Sequence, residues 1–353
     1  MQEVFMLLGF LFAAYSIVAN DSIQTLGTFL NSNDKRAWWQ LWLFAGGILA
    51  AVVLYGWAVH NGDPSYGRLS KIPLPAQFTW VHVLPPVILL FLTRFGFPVS
   101  TTFLVLTLFS QKALGPMLQK SILGYIVAFV GASVIYFTVS KIYQRHFLNE
   151  EKAKANRKFW MTAQWISTAF LWSQWLIQDL ANIFVYLPRQ LSFIEISAAL
   201  SAMLVMSAFI FYNRGGEIQK IVSSKTNTAD IRSATMIDLI FAFMLFYFKG
   251  MNKVPMSTTW VFIGLLAGRE LAINIRLKLK NQSEVWPLIG KDIMKASGGL
   301  AVSVVLALSL PILTKMAQPK NPGVVDKISP KKAMGLKDAK EILSKRSIAK
   351  IDS

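Results

Sequence analysis

The chain has no cysteine in 353 residues, so disulfides, thiolate chemistry and cysteine metal sites are excluded. Histidine is almost absent: His60, His82 and His146 are far apart in sequence, and no HExxH pair occurs. That removes the usual metal-hydrolase arrangements and leaves no nucleophile–base pair at motif spacing, so an enzyme is not expected. Charge is also scarce. Only 15% of residues are Asp, Glu, Lys or Arg, where a soluble domain carries about 25%. The charge-free stretches are long: residues 37–59, 72–93, 121–140 and 159–178 hold none, and residues 4–33 hold only Asp21. Each reaches the roughly 20 residues that a helix needs to cross the hydrocarbon.

What is present is apolar, at 54% of residues. The pattern predicts an all-α polytopic membrane protein with about ten membrane segments: 4–30, 38–59, 76–95, 98–118, 121–141, 159–187, 191–212, 233–250, 254–275 and 290–314. The first apolar run continues past its Asp and reads as a retained span rather than a cleaved signal. Trp38, Trp39, Trp80, Trp160 and Trp286 sit near span ends, as interfacial anchors do. The formal charge of +18 lies largely in connecting segments and the tail. It reads as topology-setting rather than as a nucleic-acid surface. Residues 142–158 read as a basic cytoplasmic linker, and 317–353 as a solvated Lys-rich tail.

The two halves share landmarks. Asp21 and Asp179 are 158 positions apart, while Ser100 and Ser257, and Tyr55 and Tyr212, are each 157 apart. The string STT follows a proline by one residue in both halves, in FGFPVSTTFLVLTLF and NKVPMSTTWVFIGLL. A duplication is expected, with repeats at 1–141 and 159–316. Five passages before the linker would invert the second repeat relative to the first, as in many secondary transporters with broken helices and hairpins.

The repeated residues suit two kinds of ion. Ser and Thr after proline favour helix starts, where free N–H groups and the dipole attract anions. Ser100, Thr101, Thr102, Ser257, Thr258 and Thr259 are therefore expected to line an anion site, without a fixed Arg clamp. Asp21 with Asn20 and Gln24, and Asp179 with Gln178 and Asn182, offer hard oxygen ligands for Na⁺ or a buried carboxylate for H⁺. Asn20-Asp21 lies mid-run, so a partner or a helix break is expected there. Glu195 and Asp238 lack acidic counterparts at the repeat offset and read as packing or interfacial residues, with a coupling role as the second reading. Arg94, Lys249 and Lys253 precede the hydroxyl clusters and read as snorkelling residues.

The strings AND at 19–21, GFPVSTT at 96–102, DLAN at 179–182 and PMSTT at 255–259 together resemble the inorganic phosphate transporter family, which includes phosphate and some sulfate permeases. The likeness spans most of residues 10–315. Gln24 and Gln178 stand where that family usually has Asn. Phe103 and Trp260 stand where a His is frequent. Lys253 and Val254 also depart from the usual Gly-apolar pair. The resemblance implies alternating access, Asp-centred cation sites and Ser/Thr-lined anion binding. It further implies uptake of inorganic phosphate by Na⁺- or H⁺-coupled symport across a plasma (inner) membrane, with sulfate or another oxyanion as the alternative substrate. Beyond the coupling ion no cofactor is implied. The bilayer is the expected partner, nucleic acid is not, and a homodimer is compatible. A transport-inactive sensor of the same fold is the remaining alternative.

Overall fold

The computed structural model describes residues 1–94, 100–110, 114–147, 156–214, 231–251, 257–277 and 282–317. Within them lie ten α-helices and no strand. They are α1 (Gln2–Ser32), α2 (Trp38–Val59), α3 (Leu84–Arg94), α4 (Thr101–Phe109), α5 (Leu114–Phe147), α6 (Arg157–Phe184), α7 (Phe193–Tyr212), α8 (Ile231–Met251), α9 (Thr258–Leu277) and α10 (Gln282–Ala317). Residues Met1–Thr314 form one compact unit and Lys315–Ser353 a second. Residues 148–155 of the expected linker and all of the tail beyond Ala317 lie outside the described residues.

Among the described residues, four helices are long and apolar enough to cross a membrane, with qualifying segments at Gln2–Ala19, Trp38–Val59, Leu114–Thr138 and Phe193–Tyr212. Two expected spans differ. The run 76–95 contains a 3₁₀ turn, Trp80–Val83, followed by the 11-residue α3, about 16 Å long at 1.5 Å per residue. The run 98–118 contains the 9-residue α4 and only the first turns of α5. Local signals cut these runs. Pro85 and Pro86 occupy the first turn of α3, where missing N–H groups are harmless. Ser100 caps a fresh helix at Thr101. Of the two alternatives at Asn20-Asp21, a partner or a break, the break is not found: α1 runs as one helix from Gln2 to Ser32.

Helix α6 is the innermost. Every residue from Trp172 to Phe184 except Ser173 is buried, including the polar Gln174, Gln178, Asp179 and Asn182. Around it, indole N–H groups seek backbone carbonyls. Trp172 donates to Ala45 O of α2 at 3.0 Å, and Trp42 of α2 donates to Leu204 O of α7 at 3.1 Å. Such bonds place Trp where its apolar ring packs and its one donor is satisfied.

The halves interleave. Helix α5, from the first, packs most extensively on α9, from the second. The contact is a Gly-x-x-x-Gly seam of the kind that lets membrane helices approach closely. A Cβ at Gly264 would stand 2.4 Å from Tyr125 O, and one at Gly268 would stand 2.1 Å from Phe129 O. Ser133 reinforces the seam by donating to Gly268 O across it at 3.2 Å.

The α2–α3 connection is folded, not slack. Asp63 accepts from Ser65 N (2.7 Å), Ser65 Oγ (2.6 Å) and Leu69 N (3.1 Å). Tyr66 donates to Val52 O at 3.0 Å. Gly62, at φ 86°, lets the chain pass beside Leu191, whose N–H donates to Gly62 O at 3.0 Å. Arg189 donates to Ile72 O, Pro73 O, Val185 O and Leu187 O, tying this connection to the α6–α7 turn.

Candidate functional site

Asp179 sits on the buried part of α6, 1% exposed. Its Oδ1 accepts from Asn182 Nδ2 at 2.8 Å, one helical turn on, and from Thr102 Oγ1 at 3.2 Å. Asn182 Nδ2 also reaches Thr102 Oγ1 (3.1 Å) and Thr101 Oγ1 (3.3 Å). Thr258, the first residue of α9, faces the same carboxylate. The starts of α4 and α9 therefore meet at one acidic element of α6. Asp179 Oδ2 and Asn182 Oδ1 are buried and have no hydrogen-bond partner among the described residues. Two such oxygens, with hydroxyls beside them, match the donor set of a hard monovalent cation.

The hydroxyl clusters divide their work. Ser100 Oγ accepts from Phe103 N at 3.3 Å, and Ser257 Oγ accepts from Trp260 N at 3.3 Å. Both serines thus cap their own helices, in matching geometry. Thr101, Thr102 and Thr258 face Asp179 and Asn182. Thr259 is buried in the same first turn of α9. Ser257 N–H donates to Ser121 Oγ of α5 at 2.9 Å, so that amide is already engaged.

Gln178 behaves differently from the expected cation ligand. Its Nε2 donates to Leu245 O of α8 at 3.3 Å. Its carbonyl and its Oε1 (2.9 Å) both accept from the guanidinium of Arg68. Arg68 comes from the α2–α3 connection and was not singled out by any motif. Burial lowers its pKa, and the carboxylates of Asp179 and then Asp63 act in the opposite direction. Lys120, on α5, is close enough to Arg68 to feel its charge. The side chains of Asn20, Asp21 and Gln24 lie outside the described residues, as do Pro98, Pro255 and Lys253 and the side chains of Arg94 and Lys249.

Asp238 is not interfacial. It is 0% exposed on α8, with Thr28 of α1 donating to Oδ1 and Thr168 of α6 donating to Oδ2, each at 2.5 Å. Glu195 is exposed and closes a capping box with Ser192 at the start of α7. His82 plays the matching part for Thr79 at the Trp80–Val83 turn.

No family model matches the sequence, and no curated protein matches it. Among solved structures, the chain is similar to one described as the sodium-dependent phosphate transporter. The TM-score is 0.58 at 17% identity, covering 88% of this chain and 99% of that one. At that identity the likeness establishes a shared fold. With its apolar helices, that fold makes the chain an integral membrane protein.

Proposed function

We propose that the chain is a secondary active transporter that takes up inorganic phosphate by cation-coupled symport, with Na⁺ or H⁺ as the coupling ion. The observation that carries this reading is the junction at Asp179. An acidic element from the second half of the chain is buried against a hydroxyl-capped helix start from each half. Its unsatisfied oxygens suit a cation, and its hydroxyls and helix starts suit an oxyanion beside it. Binding the two ions together offsets the cost of placing either alone in a membrane interior.

The fold likeness to a sodium-dependent phosphate transporter supports the reading. The equal spacing of the helix starts at Thr101 and Thr258, 157 residues apart, supports a duplicated architecture. Inverted repeats and alternating access between them complete the proposal, in a plasma (inner) membrane. Phosphate is favoured over sulfate because Asp179 stands beside the hydroxyls as an acceptor. Protonated phosphate can donate to an acceptor and sulfate cannot.

The test is uptake of labelled phosphate and labelled sulfate by purified protein in liposomes, under a Na⁺ gradient and under a pH gradient. Saturable, gradient-driven phosphate uptake is expected. Folded protein that takes up neither anion would overturn the reading.

A further inference from the structure

The sequence suggested an anion site built from neutral donors alone, yet the structure brings a cation to it. The Arg68 guanidinium is partly buried, and among the described residues its hydrogen bonds go to neutral oxygens, the carbonyl and Oε1 of Gln178, while the charge of Asp179 acts on it without a hydrogen bond. Gln178 directly precedes Asp179. Asp63 makes no hydrogen bond to Arg68 among the described residues; its oxygens accept from Ser65 and Leu69 instead. Those contacts, with the Tyr66 and Arg189 anchors, fix the platform that carries Arg68.

The fork geometry is informative. A guanidinium presents parallel N–H pairs that match two oxygens of a carboxylate or phosphate. Here two oxygens of one glutamine fill that fork. We propose that Arg68 is the charged ligand of the transported oxyanion, resting on Gln178 in this conformation and exchanging the two Gln178 oxygens for two oxygens of the anion. Lys120, within electrostatic reach of Arg68 and next in sequence to the Ser121 that engages the α9 start, adds positive potential. This inference rests on the oxyanion-transport reading and adds a specificity-determining residue to it.

The experiment measures the affinity of purified full-length protein for inorganic phosphate and for sulfate, together with thermal stability with and without each anion. The variants are Arg68→Gln and Arg68→Lys. Arg68→Gln is expected to raise the phosphate Kd roughly tenfold or more, the loss of a charge-assisted pair. It should also abolish phosphate-induced stabilisation while leaving ligand-free stability close to wild type. Arg68→Lys, which keeps the charge without the fork, should fall between the two. A wild-type Kd in Arg68→Gln overturns the inference and leaves the transport reading standing. A wild-type protein that binds neither anion overturns both. If Arg68→Gln does not fold, Arg68→Lys decides: a several-fold higher Kd supports the inference, and an unchanged Kd overturns it.

Discussion

Two buried carboxylates occupy the same helical core and are treated in opposite ways. Asp238 has one hydroxyl on each oxygen, from Thr28 and Thr168, and joins α8 to α1 and α6. Asp179 has Thr102 and Asn182 on Oδ1 and Thr258 facing it, while Oδ2 has no partner among the described residues. A saturated carboxylate is a structural joint between helices. An unsaturated one, beside two helix starts and a guanidinium, has capacity left for a ligand. Burial alone does not mark a functional acid in a membrane core. The count of unmet oxygens separates the two.

The sharpest way to break this comparison is to neutralise each acid. Asp179→Asn should reduce phosphate uptake by roughly a hundredfold, two decades of binding energy. Asp238→Asn should stay within about threefold, because the Thr28 and Thr168 hydroxyls can each accept as well as donate. Equal losses in a liposome uptake assay would erase the distinction. Removing the hydroxyls reverses the order of effects on stability. Thr28→Val and Thr168→Val should each lower it by about 1–2 kcal/mol, since they strip donors from a buried carboxylate. Thr102→Val should change cation or anion affinity more than it changes stability, as unfolding and binding curves on the same preparations would reveal. The smallest effects belong to the caps. Ser100→Ala and Ser257→Ala should each lower stability by about 1 kcal/mol and raise the phosphate Km modestly. A Km unchanged in the double variant would move the anion away from these helix starts.

Much of the site was legible in the chain. Asp179, Asn182, Thr101, Thr102 and Thr258 belong to a polar motif repeated at one offset in a membrane core, a pattern that packing alone does not explain, and the fold brings these five together. The partners that were missed are remote. Arg68 meets Gln178 across 110 residues, and Thr28 meets Asp238 across 210. A lone Arg in a connection and a lone Thr in an apolar run carry no local signal of what they will touch. Span lengths failed for a different reason. Hydropathy counts apolar residues and ignores punctuation, so 76–95 looked continuous although Pro85 and Pro86 open a new helix inside it, and 98–118 looked continuous although α4 ends at Phe109. The α5–α9 seam was written as Gly264 and Gly268, but its meaning depends on the carbonyls of Tyr125 and Phe129.

The absence of cysteine allows a direct test of where the anion sits, because any thiol introduced is the only one in the chain. Thr258→Cys places it at the α9 start beside Asp179, and Thr28→Cys places it in the closed joint at Asp238. The rate of modification by a small charged thiol reagent would be measured with and without phosphate. The account predicts that Thr258→Cys reacts and that phosphate slows the reaction, while Thr28→Cys stays unreactive in either condition. Thr258→Cys reacting at one rate with and without phosphate, in protein that still takes phosphate up, would contradict it.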